Sequence, residues 1–445
     1  MSAGISSAHA PALDLPARFM ALGMLGLAVV AAVSPWAYSL LLDGFYAPRL
    51  LAFVHLNTLG VIAAVILGAS YQLVPVVLQT ELASVRLGRV SFWLYLSGLV
   101  LFLPGLLTTW RPALGLGATL VFSGLIVYLV VIAWTLKRAP RMDVVAWHIV
   151  AALAGLGGGV ALGLLLALNK GTGFLGALTL RLLAAHATLM LGGWVAVMLS
   201  GVAYRLVGMF TLSEDRLWHR VAWVALALSG LGPWTLAIGL IAEAPRMILL
   251  AGALLLAGGQ LLFGVQLVHL YQVRRRRGVD VHIPFALVSA GCGVGTGALL
   301  VWGIASGVGP DSLLWVAAGW LAIAGLTLTA IQGFFYKIAT FLVWLHRYAP
   351  LAGRQRVPRL EQLYSSRLAR AGWALWSLAL AGSMLALALD DRLLSRLAGL
   401  AATLGLACFL GNVARVGAHW QLASAGRPRL ISRLRKPGTA PKGHA

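Results

Sequence analysis

His55 and His186 are the residues of this chain best suited to chemistry. Each stands alone in an apolar stretch, HLNTLGVIAAVILGASYQLVPVV from His55 and HATLMLGGWVAVMLSGVAYRLVGMF from His186. A neutral imidazole in an apolar cavity suits an axial position on a haem iron or a copper site. The two could clamp one b-type haem between them, or each could hold its own haem. Asn57, Thr58 and Thr188 are candidates for the hydrogen bond that fixes a ring. The competing reading is interhelical glue, an imidazole donating to a carbonyl or hydroxyl on a neighbouring helix, worth about 0.6–2 kcal/mol.

Other groups offer less. His148 and His282 follow basic loops carrying Asp143 and Asp280, and they form a second pair of candidate ligands. With His346, His419 and His269 they are expected to anchor helices at the membrane interface beside tryptophans. His9 and His444 sit in the tails and carry no signal. Cys292 and Cys408 are isolated thiols inside apolar segments and support neither a disulfide framework nor a cysteine metal site. All twelve acidic residues fall in loops, tails or segment ends. A proton pump or proton-coupled carrier needs a titrating carboxylate at depth, and none is placed there. No phosphate loop, nucleophile elbow or HExxH motif appears, and GLGGGVALG from Gly155 reads as a packing helix.

These side chains must be positioned by membrane helices. The 445 residues are 60% hydrophobic and 10% charged, with a mean hydropathy of +0.90, outside the range of soluble domains. About twelve apolar runs are long enough to cross the hydrocarbon core, starting near Phe19, Leu51, Val90, Pro112, Val144, Thr179, Val221, Met247, Ile283, Leu313, Gly372 and Leu397. The net charge of +22 marks loops on one side rather than a nucleic-acid surface. With the N-terminus inside, 27 of the 34 Lys and Arg residues face the cytoplasm, which places both termini there. Arg274 to Arg277 then read as a topology anchor, and the Arg-rich loop between His346 and Arg370 as attracted to anionic headgroups.

The segments repeat. GASYQLVP at Gly68, GVAYRLVG at Gly201 and GFFYKIAT at Gly333 lie 133 and 132 residues apart, and VAWHIV around His148 and VDVHIP around His282 keep a spacing of 134. Twelve helices thus divide into three units of four, at about 18–137, 144–273 and 281–420, in a pseudo-threefold arrangement. The expected organisation is a cytoplasmic tail over 1–17, one transmembrane domain over 18–422 and a basic cytoplasmic tail over 423–445. The Gly-x-x-Tyr tyrosines are read as architectural members of an aromatic belt. His55 lies 13 residues before its glycine and His186 lies 15 before its own. Two residues turn a helix by roughly 200°, so one register requires a bulge near Gly192 and Gly193 if the rings are to share a face.

Twelve helices in three four-helix arcs, with a histidine in the outer half of the second and sixth, resemble subunit I of the haem–copper oxidases. The resemblance implies a low-spin haem ligand at His55 and a copper ligand at His186. The seventh-helix histidine pair of that family is missing, with only His219 nearby, and the tenth segment, from Leu313 to Leu345, has no histidine. An oxygen-reducing binuclear centre cannot be assembled from these residues. The chain also resembles the NnrS-like membrane proteins, which implies haem and copper in a similar body, although the paired histidines near their second helix are absent from HLNTLG. The function expected is that of a haem-binding protein of a bacterial-type inner membrane, with haem b and possible copper at His55 and His186. It would act in electron transfer, NO or O2 response, or haem or copper handling, on an oxidoreductase-like scaffold without a complete catalytic centre. The alternative is a carrier or channel for a small neutral or hydrophobic solute. Beyond the lipid bilayer no partner subunit or redox partner is identifiable, and nucleic acid is excluded.

Overall fold

The computed structural model describes residues 13–276, 278 and 281–425, with side chains described as far as residue 419. Arg277, Asp280, His9, His444 and the basic residues of the C-terminal tail lie outside the described residues. Every regular element among the described residues is helical. Twelve helices are long and apolar enough to cross a membrane: α1 (Asp14–Leu42), α2 (Pro48–Leu78), α3 (Val85–Thr108), α4 (Arg111–Lys137), α5 (Val144–Thr172), α6 (Leu178–Thr211), α7 (His219–Ile241), α8 (Arg246–Gln272), α9 (His282–Ala305), α10 (Leu313–Arg347), α11 (Ser366–Leu389) and α12 (Arg392–His419). Several begin a few residues before their apolar runs. There a polar residue accepts from a free backbone N–H of the first turn, as Ser84 does from Leu87 (3.1 Å) and Ser365 from Leu368 (3.3 Å).

Sequential helices pack as hairpins, α3 on α4, α7 on α8 and α11 on α12, and α1 packs on α12 so that the bundle closes on itself. Glycines permit the close approach. A Cβ on Gly98 of α3 would stand 2.5 Å from the Val121 nitrogen of α4, and one on Gly117 would stand 2.5 Å from the Phe102 nitrogen. With lipid as solvent, such contact between backbones supplies packing that the hydrophobic effect does not.

Three helices lie inside this ring. In α2, α6 and α10, 72, 50 and 67% of the most apolar stretch is buried, against 33–44% in the other nine. The same three each contain a π-helical segment, Leu56–Ala63, Thr188–Ala196 and Leu321–Leu328. A π segment inserts residues without adding matching turns, and so resets which side chains face inward beyond it. The three segments begin 132 and 133 residues apart.

Two expectations are corrected. Tyr71, Tyr204 and Tyr336 are buried in the bundle rather than placed in a belt, at 0, 2 and 3% exposure. Tyr71 packs edge-on to Tyr128, Tyr204 against His148, and Tyr336 against Phe409, so their role is architectural but internal. His148 and His282, in the first turns of α5 and α9, are likewise turned into the bundle rather than outward. The reason for His148 is Gly201, whose missing side chain leaves room for the His148 Cβ. The run from Gly155 is a helix face, as expected. Gly155, Gly159 and Gly163 of α5 lie against Gly193, Met190 and His186 of α6.

Candidate functional site

His55 is the last α-helical residue of α2 before its π segment, and His186 stands two residues before that of α6. Both line one cavity. The α2 side chains facing it are Leu51, Val54, His55, Thr58, Leu59 and Ile62, and those of α6 include Leu183, His186, Ala187, Met190, Leu191 and Trp194. These two stripes match residue for residue at a spacing of 132. The histidines therefore occupy neighbouring positions of one inward stripe: His186 corresponds to Val54, and His55 to Ala187. This accounts for one residue of the two-residue mismatch. The other is the extra residue in the sixth-helix π segment, nine residues long against eight in α2. The bulge expected near Gly192 and Gly193 is present, and α2 and α10 carry its equivalents.

The two ring centroids lie 6.5 Å apart, with the ring planes 14° from parallel. That separation is too long for stacking contact, so space lies between them. His55 Nδ1 is 2.8 Å from the Leu51 carbonyl oxygen and His186 Nδ1 is 2.7 Å from that of Gly159. A carbonyl only accepts, so each Nδ1 carries the proton and each Nε2 keeps its lone pair. Neither Nε2 makes a hydrogen bond among the described residues. The partners expected from sequence are corrected: Asn57, Thr58 and Thr188 donate to the carbonyls of Phe53, Val54 and Ala184 on their own helices. Short polar side chains in a helix find the i−4 carbonyl before any neighbouring ring. The sixth-helix ring is held instead by α5. A Cβ on Gly163 would stand 2.8 Å from His186 Cε1, so only glycine leaves the imidazole its place. Phe102 of α3 packs edge-on to His55 at 5.3 Å.

The cavity between the rings measures about 160 Å³ and is lined by α2, α3, α4, α5, α6 and Ile323 of α10. Its lining is apolar apart from the two imidazoles and Thr58. The enclosed part is below the 300–1,000 Å³ of common small-molecule pockets, but it is not sealed. Two imidazole nitrogens with no carboxylate or thiol beside them suit an iron whose remaining ligands come from a macrocycle. No group of three His, Cys, Asp or Glu side chains that could hold a metal ion occurs among the described residues.

A second cavity, about 90 Å³, lies further along α2, α6 and α10, lined by residues such as Val65, Met198 and Ile331. His148 and His282 line neither cavity. They pack on different neighbours, His148 on Tyr204 and His282 on Phe210. Sequence reasoning missed the π segments of α2 and α10, whereas the bond from His186 to the Gly159 carbonyl of α5 is the interhelical contact that the competing reading describes. The glycine run of α5 was a usable signal, because a helix smooth enough to meet the α6 backbone is also smooth enough to cradle a ring. No protein-family model matches the chain, and no curated protein sequence matches it.

Proposed function

We propose that the protein is a multi-pass membrane cytochrome in which His55 and His186 are the two axial ligands of one b-type haem. The observation that carries this is the pair itself: near-parallel imidazoles at 6.5 Å, each with Nδ1 committed to a backbone carbonyl and Nε2 free. Metal–imidazole bonds of about 2.0 Å set two ligating nitrogens roughly 4 Å apart, and the ring centres roughly 6 Å apart. The Nδ1–H to carbonyl bond is the usual support that fixes a ligating imidazole. Phe102, Phe122, Leu125 and Leu191 offer apolar contact to a porphyrin. A haem with both axial positions filled by histidine supplies one-electron transfer. The role is therefore electron transfer through the membrane rather than oxygen reduction or gas binding.

The scaffold is proposed to be three four-helix units, related in architecture to haem–copper oxidase subunit I. The spacing of the three π segments and the matched inward stripes of α2 and α6 support the repeat. The excess of Lys and Arg at one end supports cytoplasmic termini in an inner membrane. The test is the visible spectrum of purified protein. A Soret band that sharpens on dithionite reduction is expected, with loss of low-spin haem in His55→Ala and in His186→Ala. Protein that stays colourless even when supplied with haem excludes the reading and favours transport of a small apolar solute.

A further inference from the structure

The cavity lies near one end of the bundle. His55 is seven residues from the start of α2, about 10.5 Å of helix. At that end stand Arg111 and Lys170, and helix geometry sets both above the cavity. Arg111 is seven residues before Ala118 of α4, and Lys170 is seven after Gly163 of α5; both Ala118 and Gly163 line the cavity. Residues seven apart lie two turns apart on one face, about 10.5 Å along the axis. The two cations are also neighbours. The Arg111 guanidinium donates to the Gly171 carbonyl at 3.4 Å, one residue beyond Lys170. The Lys170 ammonium is held 3.5 Å over the Tyr46 ring, in the connection between α1 and α2.

Neither cation has a carboxylate partner among the described residues, whereas two other cations at the same end do. Asp43 bonds Arg392, and Glu243 bonds Arg181. Two positive charges on adjacent helices, Arg111 exposed and Lys170 half-buried, thus stand at one end of an apolar cavity that two imidazoles line. We propose that Arg111 and Lys170 clamp the two carboxylates of the cavity's ligand, the propionates that leave one edge of a porphyrin. This rests on the haem reading above. Carboxylates are excluded from the hydrocarbon by their charge, so a porphyrin between His55 and His186 must turn its propionate edge to the nearer end. Arg111 offers a planar two-pronged donor and Lys170 a point charge on a flexible stem. Tyr46 keeps the ammonium at the mouth by its ring face.

The test separates this clamp from the axial ligation. Apoprotein in detergent is titrated with haem b and with its dimethyl ester, in which the propionates are uncharged, and low-spin absorbance is followed. Wild type is expected to bind haem at least about tenfold more tightly than the ester. The double variant Arg111→Gln/Lys170→Gln is expected to bind the ester as wild type does and haem no better than the ester. Unchanged ester binding also shows that the variant is folded. Equal affinity of wild type for the two porphyrins, or a double variant that keeps the preference for haem, overturns the clamp and leaves axial ligation standing. If wild type gives a low-spin spectrum with neither porphyrin, the haem reading falls and the clamp falls with it.

Discussion

The inner helices α6 and α10 share one backbone device and use it oppositely. Each bends through a π segment at the same spacing, and each sets a large ring just before it. In α6 that ring is His186, half-buried beside an open cavity. In α10 it is Trp320, 2% exposed and enclosed by Tyr38 at 5.2 Å and Phe53 at 5.6 Å, with its indole N–H donating to Ser383 Oγ at 3.2 Å. One position is packed like a core and the other is held open. The π segment therefore supplies direction, and side-chain volume decides whether the direction leads to a site. On the proposed haem reading, the contrast puts a packed core at one of the three π segments and the ligand beside the other two.

The sharpest way to break this contrast is to truncate both rings. Trp320→Ala removes a buried indole, while Ser383 keeps its bond to the Leu380 carbonyl, so the cavity left behind should cost about 3–5 kcal/mol in unfolding free energy. His55→Ala, whose ring faces open space, should cost below about 1 kcal/mol in the same denaturation measurement on protein without haem. Equal costs would show that the cavity is as tightly packed as the Trp320 pocket. Next in size is Gly155→Ala, which places a Cβ 2.4 Å from the Gly193 carbonyl and should cost about 1–3 kcal/mol by forcing α5 from α6. Gly163→Ala should act chiefly on the ring, lowering haem affinity about tenfold or more while stability falls less than in Gly155→Ala. Titration of each variant with haem beside its unfolding curve separates the two effects. Ser383→Ala leaves the Trp320 N–H unpaired and should cost about 1–3 kcal/mol. Smallest of all, Thr188→Val should lie within about 0.5 kcal/mol of wild type, since its hydroxyl only returns to its own helix at Ala184. A large loss of haem in Thr188→Val would restore the hydroxyl as the ring's support.

Much of the scaffold was legible because membrane helices obey strong constraints. Apolar length alone located twelve spans, and the Gly-x-x-Tyr motif recurs in the three helices that are most buried, α2, α6 and α10. The tyrosines were misplaced because an amphipathic ring is equally at home at an interface and in a core, and only the surrounding helices decide. His148 was misread for a related reason: Trp147 beside it is exposed at 44% and does face outward, but the next residue turns about 100° inward. The register of His55 and His186 was not legible. One π residue and a shift of one stripe position cancel the apparent rotation, and neither leaves a mark in composition. The ring-fixing partners were missed because backbone carbonyls are present at every residue, so only geometry selects Leu51 and Gly159. Arg111 and Lys170 carry no mark in the sequence either, and only the cavity lined by Ala118 and Gly163, seven residues inward, singles them out.

The central claim is that two imidazoles share one iron, and the electron paramagnetic resonance spectrum of the oxidised, haem-loaded protein tests it most directly. Imidazole planes 14° from parallel split the iron dπ orbitals, so the account predicts a rhombic low-spin signal from one haem per chain. That signal should be replaced by a high-spin one, or lost with the haem, in both His55→Ala and His186→Ala. A high-spin signal in wild type, or a low-spin signal that survives either substitution, would contradict it.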